Sequence, residues 1–331
     1  MRCAPRAPAR GCLPTYDEGG GRQNLRVVVS GAAGFIGSHL CDRLLADRQE
    51  VIGLDNLSTG QAENLRHLQG RPEFRFFRHD ICEPFHADGR IDIVYNLACP
   101  ASPRDYLAAP LETLAACSEG TRNMLDLAVQ NRATFLQAST SEAYGDALVQ
   151  PQPETYWGNV NPVGPRSVYD EGKRYAEALT MTYHRERGAH TRIARLFNVY
   201  GPRMKRGDGR VLPAFLDQVL RAVPLTVFGD GSQTRSFCYV SDIVEGIVRL
   251  AASDETTPVN LGGPDEITVL ELAKVVQTIA GVDCGITHLE LPQDDPSRRQ
   301  PDIAKARRLL GWEPEVDLRQ GVRLMLASYL G

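Results

Sequence analysis

A tyrosine and a lysine four residues apart, in GPRSVYDEGKRYAEAL (164–179), form the pair in this sequence most suited to chemistry. The apolar stripe after Gly164 and Pro165 predicts a helix, and on a helix Tyr169 and Lys173 share one face. A nearby ammonium favours phenolate, so we expect it to lower the pKa of Tyr169 from about 10 towards neutrality. Such a phenol can take the proton of an alcohol while a hydride leaves its carbon. The same spacing also fits an ordinary surface helix.

Length and composition narrow the classes of protein. The 331 residues are enough for one large domain with a lobe or for two domains, and 42% hydrophobic with 24% charged residues is typical of globular proteins. A net charge of −4 argues against general affinity for nucleic acid. The eight cysteines include no Cys-x-x-Cys pair, which predicts reduced thiols in a cytoplasmic protein without a metal site. No apolar run approaches the ~20 residues that would span a membrane.

A glycine-rich turn follows the first apolar segment. LRVVVS (25–30) predicts a buried parallel strand, and GAAGFIG (31–37) then opens a helix. Glycines there permit a sharp turn and close approach to a pyrophosphate, which the helix N-terminus favours. A second strand, EVIGLD (50–55), ends at Asp55, whose carboxylate can accept hydrogen bonds from ribose hydroxyls and repel a 2′-phosphate. These features predict dinucleotide binding, with NAD favoured over NADP; the alternative is a fold that has lost its cofactor.

Strands and helices continue to alternate. The sequence predicts strands at 74–80, 91–98 and 133–140, with one long helix from about 110 to 130. This order indicates an α/β fold with a doubly wound parallel Rossmann-type sheet, whose ligands lie beyond the carboxyl ends of the strands. Asp80 is a candidate for the adenine edge, and Ser139 to Glu142 lie at the carboxyl end of the third of these strands. Hydroxyls there can bind a reacting alcohol or merely cap the next turn.

Beyond residue 190 the pattern loosens. A strand at 192–197 precedes predicted helices at about 211–221, 241–252, 268–280 and 318–328, with strands at 225–229 and 236–240. Shorter pieces of this kind predict a smaller C-terminal α/β lobe that binds the substrate. We therefore divide the chain into a disordered leader (1–24), a dinucleotide-binding domain (25–190) and a mainly substrate-binding lobe (198–331). The sheet of the first domain also takes the strand at 192–197, and later strands can join it.

Long blocks of the chain resemble one known family. The glycine turn, Ser139 and Thr140, and the Tyr169/Lys173 pair are similar to the extended short-chain dehydrogenase/reductase superfamily. Within it, residues 25–330 resemble the UDP-glucuronate decarboxylase (UDP-xylose synthase) family. The blocks that carry this resemblance are NLACPASPRDY (96–106), ASTSEAYGD (138–146), PQPETYWGNVNPVGPRSVYDEGK (151–173), ARLFNVYGPRM (194–204), DGR (208–210), GDGSQTRSFCYVSD (229–242) and LPQDDPSRRQPDI (291–303).

The resemblance implies a reaction. NAD⁺ would oxidise the C4 hydroxyl of a UDP-sugar, with Tyr169 as base and Lys173 on the nicotinamide ribose. A uronate would then become a β-keto acid and lose CO₂, while Thr140 and Tyr169 stabilise the oxyanion. Protonation of C5 and return of the hydride to C4 would give UDP-xylose. The alternatives are a nucleotide-sugar 4,6-dehydratase or 4-epimerase, release of the 4-keto pentose, or an NAD-binding regulatory relative.

Glu142 separates these reactions. A 4,6-dehydratase would carry Asp-Glu after the threonine, with one acid to protonate the leaving hydroxyl, whereas this chain has Ser141-Glu142. A 4-epimerase would need no acid there. The resemblance gives Glu142 a role in positioning the sugar and in proton transfer; the alternative is a surface glutamate at a turn. The catalytic residues implied are Thr140, Glu142, Tyr169, Lys173 and Arg299.

Binding residues follow from the same resemblance. Arg299 would hold the uronate carboxylate, Arg210 and Arg235 are cations suited to phosphate, and Phe228 would stack on uracil or belong to the core. The substrate-binding set is Tyr106, Glu142, Asn198, Arg210, Val211, Phe228, Arg235 and Arg299. The cofactor-binding set is Gly31, Gly34, Phe35, Ile36, Gly37, Asp55, Asn56, Ser58, Thr59, Gly60, Asp80, Ile81, Leu97, Ala98, Pro100, Tyr169 and Lys173.

The resemblance also implies an assembly. The helices at about 110–130 and 166–187 would pair with their copies in a second subunit as a four-helix bundle, giving a homodimer. Their apolar stripes fit this arrangement, but such stripes also fit simple packing on the sheet.

Overall fold

The computed structural model describes residues 24–207, 209–290 and 298–330. Outside these ranges lie the predicted leader apart from residue 24, Asp208 of the DGR block, and residues 291–297 of the last block. The strands, numbered along the chain, are β1 (Arg26–Ser30), β2 (Glu50–Asp55), β3 (Phe74–Arg78), β4 (Ile93–Asn96), β5 (Thr134–Thr140), β6 (His190–Leu196), β7 (Val199–Tyr200), β8 (Leu225–Phe228), β9 (Thr234–Ser236), β10 (Cys238–Tyr239), β11 (Val259–Leu261), β12 (Glu266–Thr268) and β13 (Ile286–Leu289).

Ten α-helices are described among and after these strands. They are α1 (Phe35–Ala46), α2 (Pro103–Ala108), α3 (Pro110–Ala115), α4 (Thr121–Asn131), α5 (Ser167–Arg187), α6 (Val211–Leu220), α7 (Val240–Ala252), α8 (Val269–Ala280), α9 (Ala304–Leu310) and α10 (Leu318–Leu330), with 3₁₀ turns at Ala62–Leu68 and Ser141–Tyr144 and a π turn at Ala116–Gly120. Within the described ranges, no helix is both long and apolar enough to cross a membrane.

A seven-stranded parallel sheet organises the chain. Its strand order is β11-β6-β5-β4-β1-β2-β3, and the reversal beside β1 makes it doubly wound. Val27, Val28 and Val29 of β1 are all fully buried, because helices cover both faces of a parallel sheet. Helices α1 and α7 contribute to the core on one face, whereas α4 and α5 contribute to the core on the other. The predicted fold class is confirmed.

The predicted helix at 110–130 is interrupted. Helices α3 and α4 are joined by the π turn Ala116–Gly120, which inserts a wider turn into an otherwise continuous helix. The turn lies where neighbouring elements approach closely: a Cβ on Gly120 would be 2.5 Å from Cδ1 of Ile81, and one on Gly172 of α5 would be 3.2 Å from Sγ of Cys117. Turns of this kind are frequent at functional sites, and Ala116 of this one lines a cavity at the carboxyl ends of the parallel strands.

The predicted strand at 236–240 is also wrong, because the chain changes partners there. Strand β9 pairs antiparallel with β12, whereas β10 pairs in parallel with β7. The N–H of Ser236 donates to the carbonyl of Arg299 at 3.1 Å, and the N–H of Cys238 donates to the carbonyl of Asn198 at 3.2 Å. Residues 234–239 therefore do not form one strand: they pair with β12, with the backbone at Arg299, and with β7 and the residue before it, Asn198.

Residues after 198 serve both the sheet and the lobe. Strand β11 pairs in parallel with β6, and α7 packs against β6 and β11, so a later strand does join the central sheet. The lobe contains the pairs β8/β13 and β9/β12 together with α6 and α8. The division of the chain at residue 198 stays a prediction.

Candidate active site

A cavity of about 650 Å³ lies at the carboxyl ends of the parallel strands. Ligands bind at this edge of doubly wound sheets, where the strand order reverses. Every predicted cofactor-binding residue lines the cavity, as do the five predicted catalytic residues and two further predicted substrate-binding residues, Asn198 and Arg210. Among the described residues, no group of three or more metal-ligating side chains occurs.

The glycine turn shapes one wall of the cavity. Gly31 has a φ of +72°, and the N–H of Gly34 donates to its carbonyl at 3.0 Å before α1 begins at Phe35. A Cβ on Gly37 would lie 2.0 Å from the oxygen of Gly31. The first turn of α1 can therefore pack against the loop only because residue 37 has no side chain, and the free N–H groups of this turn can face an anion. This cradle fits a dinucleotide pyrophosphate.

We expect Gly37→Ala to raise the Kd for NAD by about 10-fold or more, since the new methyl group must displace the turn. Isothermal titration calorimetry measures this. Gly188→Ala is a matched control, because Gly188 has a φ of +63° at the end of α5, open space around it and no part in the cavity. The control should lose stability but keep its NAD affinity. Equal affinity in both variants would contradict the role of Gly37.

Asp55 lies where the adenosine ribose would be held. Its carboxylate accepts hydrogen bonds from the N–H of Ala33 at 2.9 Å and of Leu57 at 2.8 Å. Burial raises the pKa of Asp55, although these bonds oppose that effect. A carboxylate has about four acceptor positions, so capacity remains for ribose hydroxyls. Asn56 donates a hydrogen bond to Asp80 at 2.9 Å, which joins the segments that follow β2 and β3.

Tyr169 and Lys173 lie on α5, as predicted, and both are buried at the cavity. The Tyr169 ring stacks on the ring of Tyr106, with centroids 5.0 Å apart and 6° between the planes. Its hydroxyl makes a side-chain hydrogen bond with Thr140. Nζ of Lys173 donates to the carbonyl of Ala138 at 3.0 Å and lies 5.8 Å from the centre of the Tyr169 ring.

The predicted lowering of the Tyr169 pKa is wrong when only groups of this chain act on the phenol. Burial raises the pKa of this phenol well above its ordinary value, and the charges of Cys99 and Glu142 add to the rise. The hydrogen bond from Thr140 acts in the opposite direction but does not overcome burial. Because the ammonium of Lys173 is directed to a backbone carbonyl, helical spacing alone does not make Tyr169 a phenolate.

Glu142 is the centre of a buried charged cluster. Its carboxylate accepts a hydrogen bond from Arg166 at 2.6 Å and lies 3.5 Å from Nη1 of Arg299. Burial opposes its charge, but Arg299 and Arg166 overcome that effect and lower the pKa of Glu142. The N–H of Glu142 donates to Oγ1 of Thr140 at 3.2 Å, which fixes the two side chains relative to each other.

Two residues in this cluster escaped the sequence analysis. Arg166 precedes α5 and Asp170 lies in its first turn, so both are local neighbours of Tyr169. Asp170 shares a hydrogen bond with Glu142, and burial followed by the charge of Glu142 raises the pKa of Asp170 to about 8. The available signal was an acidic side chain directly after Tyr169, which was not recognised because Glu142 is distant in sequence.

Four predicted substrate-binding residues do not line the cavity. Tyr106 lies behind the ring of Tyr169, Val211 begins α6, Arg235 is buried in β9, and Phe228 is 39% exposed at the end of β8. Other cations do line the cavity but were not predicted. These are Arg203, which pairs with Asp42 at 2.7 Å, and Lys205, which lies 3.5 Å from Asp105.

Comparison with known proteins agrees with this geometry. The sequence model of the NAD dependent epimerase/dehydratase family matches residues 27–262. UDP-glucuronic acid decarboxylase 2 of Arabidopsis thaliana is 55% identical over 308 residues, which are 93% of this chain and 69% of that protein.

Solved structures are similar over nearly the whole chain. A UDP-glucose 4-epimerase of Thermotoga maritima, with UDP-glucose, has a TM-score of 0.84 at 29% identity and covers 92% of this chain and 99% of its own. A UDP-glucuronic acid 4-epimerase of Bacillus cereus, in complex with UDP-glucuronic acid and NAD, has a TM-score of 0.80 at 28% identity, with 92% and 98% covered. The chain belongs to the NAD dependent epimerase/dehydratase family, in the branch that holds the UDP-glucuronic acid decarboxylases.

Proposed function

We propose that this protein converts UDP-glucuronate into UDP-xylose and CO₂, with NAD as a recycled cofactor. The observation that carries the proposal is the position of Arg299. Its side chain is buried beside Glu142 yet lines the cavity, and its Nε–H has no acceptor among the described residues. A buried donor without a partner costs about 1–3 kcal/mol, which an anionic ligand would remove. A uronate carboxylate supplies that anion, whereas a neutral hexose does not.

The glycine turn, Asp55 and Asp80 would hold NAD, with Lys173 near the nicotinamide ribose. The chemistry that this cofactor would supply when bound is acceptance of a hydride from C4 and its return after loss of CO₂. Such a cycle requires the dinucleotide to stay in place between the two transfers.

The hydroxyl groups of Tyr169 and Thr140 would act on the C4 oxygen. They are hydrogen-bonded to each other at the carboxyl end of β5, so a substrate hydroxyl placed there contacts both. The positive charge of bound NAD⁺ would favour ionisation of Tyr169, which burial alone opposes, and the phenolate would then take the proton of that hydroxyl as the ketone forms. When CO₂ departs, the electrons of the C5–C6 bond enter the C4 carbonyl as an enolate, and the two hydroxyls donate to its oxygen.

Cations that line the cavity after β7 would hold the diphosphate of the substrate. Arg203, Lys205 and Arg210 line the cavity after β7, and Asn198 lies beside them with its amide donating to the carbonyl of Ser236 at 2.8 Å. Charge-assisted hydrogen bonds from such side chains are the strong ones in phosphate recognition. The cluster explains how a chain of net charge −4 can bind a dianionic group.

The proposal is tested by incubating the protein with NAD⁺ and UDP-glucuronate while following CO₂ release and identifying the product by NMR. We expect CO₂ and UDP-xylose in equal amounts. UDP-galacturonate without CO₂ would show a 4-epimerase, and a 4-keto pentose would show release of the intermediate. NAD binding without turnover of UDP-glucuronate or of a neutral UDP-hexose would indicate a regulatory relative.

We also propose that the protein is a homodimer formed through the helices α3, α4 and α5. Apolar side chains on α2 and α3 are exposed in the single chain, including Leu107 at 51% and Leu111 at 75%, and Tyr175 of α5 is 44% exposed. Burial of these side chains in a second copy would recover their hydrophobic contribution.

We expect light scattering to give twice the 36.4 kDa of one chain for the wild type, and Leu111→Asp to give a monomer. A charge buried at a subunit interface is strongly unfavourable. Leu148→Asp is the control, because Leu148 is 79% exposed in the loop after β5 and outside these helices. A wild-type monomer, or an unchanged dimer in Leu111→Asp, would contradict the proposed interface.

The described cysteines support a reducing compartment, and we propose the cytoplasm. Cys99 and Cys117 are free thiols although their sulfur atoms lie only 3.5 Å apart. Thiols so close would be prone to oxidation in a secreted protein. Thiol titration of the native and unfolded protein from cells would detect a bridge, which would contradict this assignment.

A further inference from the structure

A second carboxyl group stands behind Glu142. Asp170 is buried, with 8% of its surface exposed, and its carboxyl shares a hydrogen bond with that of Glu142. Its Oδ1 is also buried and has no hydrogen-bond partner among the described residues. Asp170 does not line the cavity, whereas Glu142 does. Asp170 therefore reaches the substrate only through Glu142.

Two hydrogen-bonded carboxyl groups must share a proton. An ionised carboxylate only accepts hydrogen bonds, so one member of the pair has to carry the hydrogen. Arg166 and Arg299 both contact Glu142 and hold it ionised, which leaves the proton on Asp170. Burial and the charge of Glu142 raise the pKa of Asp170 to about 8, in agreement with this placement.

The charged groups around Asp170 explain why the shared proton stays on this residue. The charged and titratable groups that act on it are Glu142 on the 3₁₀ turn, Arg166 before α5, Arg299 and, from α2, the phenol of Tyr106. With one shared proton, the two carboxyl groups carry one negative charge against two arginines. The cluster thus keeps one positive charge for a substrate carboxylate, which a fully ionised pair would cancel.

The proposed reaction needs a proton at this place. A uronate carboxylate leaves as CO₂, the electron pair of its C5–C6 bond remains in the enolate, and that pair forms the new C5–H bond. The proton taken from the C4 hydroxyl returns when C4 is reduced, so it cannot serve C5. Each turnover therefore consumes one additional proton, which has to reach C5 from a group of the protein or from solvent.

We propose that Asp170 stores this proton and passes it to C5 through Glu142. As the enolate forms, the Glu142 carboxylate accepts the proton held by Asp170 and then donates a proton to C5; the pair is left doubly ionised and regains one proton from solvent before the next turnover. Asp170 is a positioning residue in this scheme, because only Glu142 touches the substrate. The inference rests on the proposed decarboxylation.

Asp170→Asn tests the scheme, because an amide can donate a hydrogen bond to Glu142 but cannot hand over its proton. In a single turnover with UDP-glucuronate and NAD⁺, we expect CO₂ release to change little while formation of UDP-xylose slows about 100-fold. Glu171→Gln is the matched control, since Glu171 is the next residue of α5, is partly exposed and pairs with Arg174 outside the cavity. The control should behave as the wild type.

The pH dependence separates proton storage from a structural role. In the wild type, product formation should fall above a pH of about 8, where Asp170 loses its proton, and this limb should be absent in Asp170→Asn. Asp170→Glu should restore the limb. Equal slowing of CO₂ release and product formation, with an unchanged pH profile, would overturn the proposal.

A spectroscopic measurement covers the case of a variant that fails to fold. Infrared difference spectra of the wild type should show a protonated carboxyl band that disappears near pH 8, and Glu142→Gln should shift its midpoint. Absence of such a band in the folded wild type would also overturn the proposal. Failure of the decarboxylation itself would be recognised separately, as absence of CO₂ from the wild type.

Discussion

We expect Tyr169→Phe to lower kcat for UDP-glucuronate by about 10²–10⁴-fold with little change in the affinity for UDP. The substitution removes only the phenolic oxygen, which takes the C4 proton when it is ionised. The ring should keep its place, because its stacking on Tyr106 at 5.0 Å does not involve that oxygen. Thr140 also keeps its hydrogen bond from the N–H of Glu142. The measurements are CO₂ release for kcat and calorimetry for UDP binding.

Tyr175→Phe is the matched control for this prediction. Tyr175 lies on the same helix, α5, but is 44% exposed and outside the cavity. The Tyr175→Phe variant should have the same kcat as the wild-type enzyme when the two are compared in the same oligomeric state. A kcat for Tyr169→Phe within about 10-fold of the wild type would show that another group accepts the C4 proton.

The second large effect concerns the substrate carboxylate. We expect Arg299→Ala to lower kcat/KM for UDP-glucuronate by about 100-fold, as a charge-assisted hydrogen bond contributes about 1.5–3 kcal/mol. UDP affinity should change by less than about 3-fold, because the proposed diphosphate cations are a separate group. Arg299→Lys should lose less activity than Arg299→Ala, since it keeps the charge but not the planar fork.

Arg298→Ala is the control for Arg299. The two residues are adjacent, but the Arg298 side chain is 49% exposed and pairs with Glu266 of β12. We expect this variant to turn over UDP-glucuronate like the wild type. Equal losses of UDP binding and uronate turnover in Arg299→Ala would show that Arg299 supports the site without reading the carboxylate.

The structure changes the interpretation of the missing Asp-Glu pair after Thr140. The sequence places Ser141 before Glu142, and we interpreted this as a missing acid. The structure supplies a second carboxyl group from α5, but Asp170 lies behind Glu142 rather than on the wall of the cavity. An acid in that position can feed a proton through Glu142 to C5, whereas it cannot directly protonate a leaving hydroxyl.

Local patterns in the sequence determined the frame of the protein. Alternating apolar runs and helical stripes predict the parallel sheet, since a strand buried on both faces must be apolar along its whole length. The glycine turn and Asp55 follow from short-range spacing, and so does the placement of Tyr169 and Lys173 on one helical face. Periodicity does not reveal the π turn at Ala116–Gly120. Cys117 of this turn closely approaches Gly172 of α5.

Tertiary structure alone decided the electrostatics of the site. Glu142 and Arg299 are 157 residues apart and meet because the backbone around Arg299 is hydrogen-bonded both to Ser236 of β9 and to Gln152. The pKa of Tyr169 rises rather than falls because its environment is set by burial, which no spacing along one helix reports. Burial and the nearby Glu142 also explain why Asp170 holds a proton. Glu142 lies on another segment of the chain, and the repulsion between two buried carboxylates depends on the distance between them rather than on their order in the sequence.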